Sequence, residues 1–201
     1  MIKNIVFDIG NVLVDYNIKG FLAGKGFEPD MIKRIIKASV MSPYWEAFER
    51  CDLDEEGALK AFASLDPEIE SEIFKAYENI KGMLTIRDFA IDFVKQLKED
   101  GYAVYYLSNY SSKAFRECSD SLAFMEYMDG GCLSFQEKMT KPDENFYKRF
   151  LEKYSLVAEE SVFVDDTPIN VEVAEKLGFK GIVFESYESA AEKICAIAAA
   201  K

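Results

Sequence analysis

The sequence predicts an α/β fold of three layers, a parallel sheet with helices on both faces, interrupted after its first strand by a helical insertion. Three observations predict it. Short apolar runs at residues 5–7, 102–107 and 162–164 each stop at an acidic or hydroxyl-bearing residue. From residue 86 onward, such runs alternate with segments whose apolar residues recur at helical spacing. Between residues 17 and 82, by contrast, helical segments follow one another with no convincing strand.

Taken in order, Ile5-Val6-Phe7 is a buried strand ending in Asp8, Gly10 supplies a tight turn, and residues 12–14 form an extended arm. Residues 30–40, 54–65 and 66–80 read as helices, each opening with an aspartate. Ile86, Phe89, Ala90, Phe93, Val94 and Leu97 then recur at three-four spacing, predicting a helix with Thr85 as its cap and Gly101 as its stop. Its apolar stripe needs a sheet to cover. Residues 102–107 supply one, ending in Ser108-Asn109 and leading into a helix from Ser112. Residues 130–139 are less regular, and Lys141-Pro142 precedes a helix over 145–153. A strand at 162–164 ends in Asp165-Asp166, a helix over 168–177 is terminated by Gly178, and 181–184 is a last strand.

Composition narrows the chemistry. The 201 residues contain no histidine, which excludes Ser-His-Asp triads, Cys-His dyads and His-ligated zinc. Carboxylates must carry any catalysis. A formal charge of -12 repels a phosphate backbone, so nucleic acid is not an expected partner, and an anionic substrate needs a cation or a few placed basic groups beside it. Cys51, Cys118, Cys132 and Cys195 lie far apart, without the Cys-x-x-Cys spacing of a zinc or redox site. No stretch approaches the ~18 apolar residues of a membrane span, and the first residues lack the apolar run of a signal peptide. A cytoplasmic location is the expectation.

In an open parallel sheet, ligands bind beyond the carboxyl ends of the strands. Three strands here end in Asp8, in Ser108-Asn109 and in Asp165-Asp166. One aspartate closing a strand is commonly a turn former. An adjacent pair after a buried strand is different, because like charges repel unless something positive sits there. Hard carboxylate oxygens without imidazole or thiolate suit Mg2+, and magnesium suits phosphate. Ser108 offers a hydroxyl, the helix start after it offers backbone donors, and Lys141 offers a point charge.

In order, and across nearly the whole chain, these segments resemble the motifs of the haloacid dehalogenase-like (HAD) hydrolase superfamily. Phe-Asp8-Ile-Gly10-Asn11-Val is similar to its first motif, Leu-Ser108-Asn109 to the second and Lys141-Pro142 to the third. Phe-Val-Asp165-Asp166, with Asn170, Ala174 and Gly178, is similar to the fourth. Trp45-Glu-Ala-Phe-Glu49-Arg50 also resembles the subgroup that includes bacterial sugar-1-phosphate phosphatases. The resemblance implies a Rossmann-like core of residues 1–16 and 83–201 and a helical cap of residues 17–82. It implies a phosphatase acting on a small phosphorylated metabolite, with Asp8 attacking phosphorus to give an aspartyl-phosphate that water hydrolyses. Mg2+ would be held by Asp8, the Gly10 carbonyl, Asp165 and Asp166, while Ser108, Asn109 and Lys141 hold the phosphoryl oxygens and neutralise charge.

One position departs from the pattern. Most phosphatases of this family carry a second aspartate two residues after the nucleophile, as acid for the leaving group and base for water, where this chain has Gly10. Either the leaving group needs little help, as in an anomeric sugar phosphate, or the cap supplies a proton donor. The subgroup resemblance favours the former. Two other readings stay open: a carbon–halogen hydrolase, which a double aspartate does not serve, and a degenerate module that binds phosphate or metal without turnover. Trp45 and Phe48, three apart, are expected in the core; Glu49 and Arg50 are within reach of the pocket mouth, but an exposed ion pair is the expectation for them.

Overall fold

The computed structural model describes residues 1–199. Five strands, β1 (Asn4–Phe7), β4 (Ala103–Ser108), β5 (Gly130–Leu133), β6 (Ser161–Asp165) and β7 (Lys180–Val183), form one sheet in the order β5-β4-β1-β6-β7. Every pairing in it is parallel. A second, two-stranded sheet pairs β2 (Val14–Tyr16) antiparallel with β3 (Leu84–Ile86).

Alternation along the strands separates two cores. Ile5, Phe7, Val104, Val162 and Val164 face one side, with Phe93, Val94 and Leu97 of α6 (Ala90–Glu99) and Ala190 and Ile194 of α11 (Tyr187–Ala199). Val6, Tyr105, Leu107 and Phe163 face the other, against Phe146, Tyr147 and Phe150 of α9 (Glu144–Tyr154) and Val173 and Ala174 of α10 (Pro168–Lys176). Three layers follow from that partition, as the sequence predicts.

Residues 17–82, between β2 and β3, hold α1 (Ile18–Gly24), α2 (Pro29–Ala38), α3 (Trp45–Glu49), α4 (Glu55–Leu65) and α5 (Glu70–Tyr77), and no strand among the described residues. Local chemistry sets their starts: Pro29 opens α2, and the Asp54 side chain accepts from Gly57 N at 2.7 Å ahead of α4. Trp45 stacks on Phe62 with centroids 6.0 Å apart, and Phe48 meets Phe62 edge-on at 5.9 Å. These helices share one apolar cluster with the sheet, and a polar tie joins them to it as well: buried Lys113 of α7 (Ser112–Glu117), paired with Glu117 of its own helix at 2.6 Å, reaches Glu55 at 3.1 Å. A short α8 (Ser134–Glu137) follows β5.

Three expectations are corrected. The extended arm expected at residues 12–14 is a turn through Leu13, with the main-chain N–H groups of Val12, Leu13 and Val14 all donating to Ile9 O, and the strand starts only at Val14. The helix expected from Ile86 with Thr85 as cap begins at Ala90, because residues 84–86 pair with β2 instead. That helix has no side-chain cap, a loss of about 1 kcal/mol, whereas burying Phe93, Val94 and Leu97 contributes about 1.5–3 kcal/mol each; packing decides its position. The irregular stretch expected at 130–139 contains edge strand β5 and α8. None of the described helices is long and apolar enough to cross a membrane.

Candidate active site

Because β4, β1 and β6 are neighbours with β1 in the middle, the residues that close them arrive at one edge of the sheet. Asp8 directly follows β1, and its main-chain N–H donates to Val164 O at 2.8 Å, continuing the ladder one step past the strand. Lys141 is buried and places its Nζ 2.6 Å from Asp165 Oδ2 and 2.9 Å from Asp8 Oδ1. The contact to Asp165 is a hydrogen bond; the one to Asp8 has ion-pair distance without hydrogen-bond alignment. Asp8 Oδ1 is therefore buried with no hydrogen-bond partner.

The two carboxylates of the adjacent pair differ. Asp165 is fully buried and accepts from Lys141 Nζ, from Thr167 N at 2.8 Å and from Asn170 Nδ2 at 3.1 Å, so its oxygens are saturated by donors. Asp166 is half-buried and accepts from Asn11 Nδ2 at 3.0 Å. A cavity of about 250 Å³ opens beside them. Asp8, Gly10, Lys141 and Asp166 line it, and Asp165 does not.

Ser108 is 1% exposed and does not line the cavity either, although it neighbours Asp8. Asn109 lines it, with its side chain turned to the main chain of Lys141: Nδ2 donates to Lys141 O at 3.0 Å, and Lys141 N donates to Oδ1 at 2.8 Å. That pair of bonds fixes the backbone from which the buried lysine reaches in.

Electrostatics follow from burial. Desolvation pushes the Asp8 carboxyl up to about 6, Lys141 pulls against that rise, and Asp165 adds to it. Burial works against the Lys141 charge, yet the carboxylates of Asp165 and Asp8 outweigh it and hold the ammonium above its ordinary range. One carboxylate oxygen from each of Asp8, Asp165 and Asp166 can be chosen so that all lie within 4.8 Å of one another. Such a hard, oxygen-only donor set, with an unpartnered oxygen on Asp8, fits a divalent cation of the magnesium type. Asp8 and Asp166 have oxygens to give; those of Asp165 are already engaged.

Aromatic and aliphatic side chains form one part of the remaining wall. Tyr16, Trp45, Phe48 and Tyr110 line it with Met83 and Leu84. Trp45 and Phe48, expected only as core, are core and cavity wall at once. Tyr16 and Ser111 were not singled out by the sequence; Ser111 caps α7 by accepting from Ala114 N at 3.2 Å, a signal that a Ser before a helix start does carry. Nothing local marks Tyr16, whose buried hydroxyl has no hydrogen-bond partner.

Glu49 also departs from expectation. Arg50 pairs with Glu46 at 2.7 Å and Asp52 at 2.8 Å, no ion pair reaches Glu49 among the described residues, and Glu49 lines the cavity. On a helix, residues four apart share a face and adjacent ones do not. Burial pushes the Glu49 carboxyl up to about 7; Trp45 pulls it back and Asp8 adds to the rise. The unfolded chain releases this proton near its ordinary 4.5, while the folded chain keeps it, so ionisation favours unfolding. Wild type is expected to lose up to about 3 kcal/mol relative to Glu49→Gln as pH rises from 4.5 to about 7. Denaturant titrations across that range check this; parallel stability curves would refute it.

A profile of the haloacid dehalogenase-like hydrolases matches residues 2–178. A sesquiterpene phosphatase of Aspergillus oryzae is 27% identical over 180 residues, spanning 90% of this chain and 88% of that protein. A D-ribitol-5-phosphate phosphatase of Bacteroides thetaiotaomicron is 28% identical over 192 residues, spanning 90% of each. Among solved structures, a HAD family enzyme of Bacteroides thetaiotaomicron, in complex with magnesium and inorganic phosphate, shares the fold with a TM-score of 0.72 at 22% identity, over 94% of this chain and 99% of that one. Matched from before β1 to the end of the helix that follows the acidic pair, insertion included, the chain belongs to the haloacid dehalogenase-like hydrolases.

Proposed function

We propose that this hydrolase is a magnesium-dependent phosphatase acting on a small phosphomonoester, with Asp8 as nucleophile and residues 17–82 as a cap over a core of 1–16 and 83–201. The observation that carries the reading is Asp8 Oδ1: a buried carboxylate oxygen without a hydrogen-bond partner, 2.9 Å from a buried ammonium, in a residue that lines a cavity shared with Asp166. The phosphatases among its relatives and the magnesium and phosphate in a protein of the same fold support it.

Asp8 attacks phosphorus, the bond to the leaving oxygen breaks, and the aspartyl-phosphate is hydrolysed by water. Lys141 neutralises charge on the transferring group, the Asn109 main chain helps position it, and Ser108 acts behind them, beside the Asp8 carboxylate. Asp8, the Gly10 carbonyl and Asp166 would hold Mg2+, with Asp165 anchoring Lys141 behind them. When bound, the ion lowers the electrostatic cost of bringing a phosphate to a carboxylate.

The organic half of the substrate meets aromatic rings and two unpartnered tyrosine hydroxyls, those of Tyr16 and Tyr110, which suits a sugar or polyol with an apolar face and hydroxyls to share. About 250 Å³ limits it to a small molecule. A net charge of -12 argues against nucleic acid, and four unpaired cysteines fit a reducing, cytoplasmic compartment.

Removing divalent metal with a chelator is expected to lower phosphate release about 10²–10³-fold, with recovery on adding Mg2+. The assay is a panel of sugar, polyol and simple alkyl phosphates. Chelator-resistant turnover of haloacids would favour the carbon–halogen reading, and no release from any ester would favour a binding module.

A further inference from the structure

An alkoxide leaving phosphorus is strongly basic and departs readily only if it receives a proton. The titratable groups lining the cavity, among the described residues, are Asp8, Lys141, Asp166, Tyr16, Tyr110 and Glu49. Asp8 is the proposed nucleophile, and Asp166 would hold the cation. Lys141 is held charged between two carboxylates. Burial pushes both tyrosine hydroxyls up, away from neutrality. At Gly10, beside the nucleophile, there is no side chain, and a Cβ placed there would touch nothing within 4 Å. That space is open and holds no acid.

The geometry points to Glu49 as the group that gives a proton to the leaving oxygen and takes one from water in the second half-reaction. This rests on the phosphatase reading. Three backbone carbonyls at the end of α3 are bonded to the segment around α8: Ser134 Oγ donates to Glu49 O at 2.8 Å, and Lys138 Nζ donates to Arg50 O at 2.8 Å and to Cys51 O at 2.7 Å. The main chain of Glu49 is thereby pinned to the segment that follows β5. Its carboxyl is left out of the ion pairs that occupy Glu46, Arg50 and Asp52. The charged and titratable groups acting on it are Asp8, Lys141, Glu46 and Tyr16. Their net effect with burial keeps its proton up to about pH 7, which suits an acid that must work near neutrality.

In the first half-reaction the Asp8–phosphorus bond forms, the phosphorus–oxygen bond to the organic group breaks, and the Glu49 proton passes to that oxygen, releasing a neutral alcohol and leaving a carboxylate. In the second, water loses a proton to the Glu49 carboxylate and attacks phosphorus. The Asp8–phosphorus bond breaks, and both acids return to their starting states with phosphate released.

The test is leaving-group dependence. kcat/KM is measured with an alkyl phosphate and with 4-nitrophenyl phosphate, whose phenolate departs without a proton, for wild type and the isosteric Glu49→Gln. The aryl-to-alkyl ratio is expected to rise about 10²–10⁴-fold in the variant, and the decline of the alkyl rate above pH of about 7 is expected to disappear. An unchanged ratio overturns the proposal, whether both rates persist or both fall together. Absence of release from either ester by wild type overturns the phosphatase reading and this proposal with it.

Discussion

Replacing Asp8 with asparagine is expected to lower phosphate release by more than about 10⁴-fold while leaving the fold in place. The reason lies in what the residue's environment already tolerates. Burial has raised the Asp8 carboxyl to about 6, so a neutral amide of the same shape sits there without a new desolvation cost. Lys141 keeps its hydrogen bond to Asp165 at 2.6 Å and remains paired. What disappears is the anionic carboxylate oxygen that attacks phosphorus, since the neutral amide oxygen is a poor nucleophile, and Asp165 cannot replace it because its oxygens are saturated and it does not line the cavity. Turnover with the best ester of the panel, thermal unfolding of both proteins, and mass analysis of acid-quenched wild type for one added phosphoryl group are the measurements. A variant within tenfold of wild type, or one that is inactive because it is unfolded, would remove the argument for covalent transfer through this carboxylate.

The strand ends were legible in the sequence because a buried strand must be apolar along its length, so an acid that stops it is conspicuous. Asp8 and Asp165-Asp166 carry that signal directly. Their meeting was not legible, since it depends on β1 lying between β4 and β6, a pairing fixed by tertiary contacts. The same limit explains β3. Residues 84–86 read equally well as the lead-in to a helix, and only the partner strand Val14–Tyr16 decides otherwise. Edge strand β5 is hidden by its composition: Gly130-Gly131-Cys132-Leu133 lacks β-branched residues. Gly131 is required there because a Cβ would lie 2.3 Å from the Tyr106 carbonyl and ring. The Ala-rich end of the chain, which forms α11, offered no periodic apolar stripe strong enough to predict it. Among site residues, Lys141 was visible only through its place in a motif, because a lysine before a proline is ordinarily solvated. Glu49 was misplaced because charge pairing along a short helix has several solutions, and the one adopted uses Glu46 and Asp52.

Lys141→Met is the complementary experiment, and its expected effect is on stability as well as on rate. The ammonium is 1% exposed and stands between two carboxylates, one of them fully buried. Deleting one partner of a buried ion pair leaves an uncompensated charge, which costs about 3–5 kcal/mol; methionine fills the volume but supplies no donor. Asp8 has Lys141 as the main influence holding its carboxyl down, so its pKa rises further in the variant. A carboxyl whose folded pKa exceeds its unfolded one loses stability as pH rises through that interval. In wild type that interval runs from 3.8 to about 6. In the variant it extends higher, so the deficit relative to wild type deepens as pH rises above about 6. Denaturant unfolding from about pH 5 to about pH 8 measures it. Phosphate release should fall about 10²–10³-fold in parallel, the scale of losing one placed charge at a developing anion. A Lys141→Met protein as stable as wild type at every pH would mean that the two carboxylates do not need the ammonium, and the charge balance assigned to this site would be wrong.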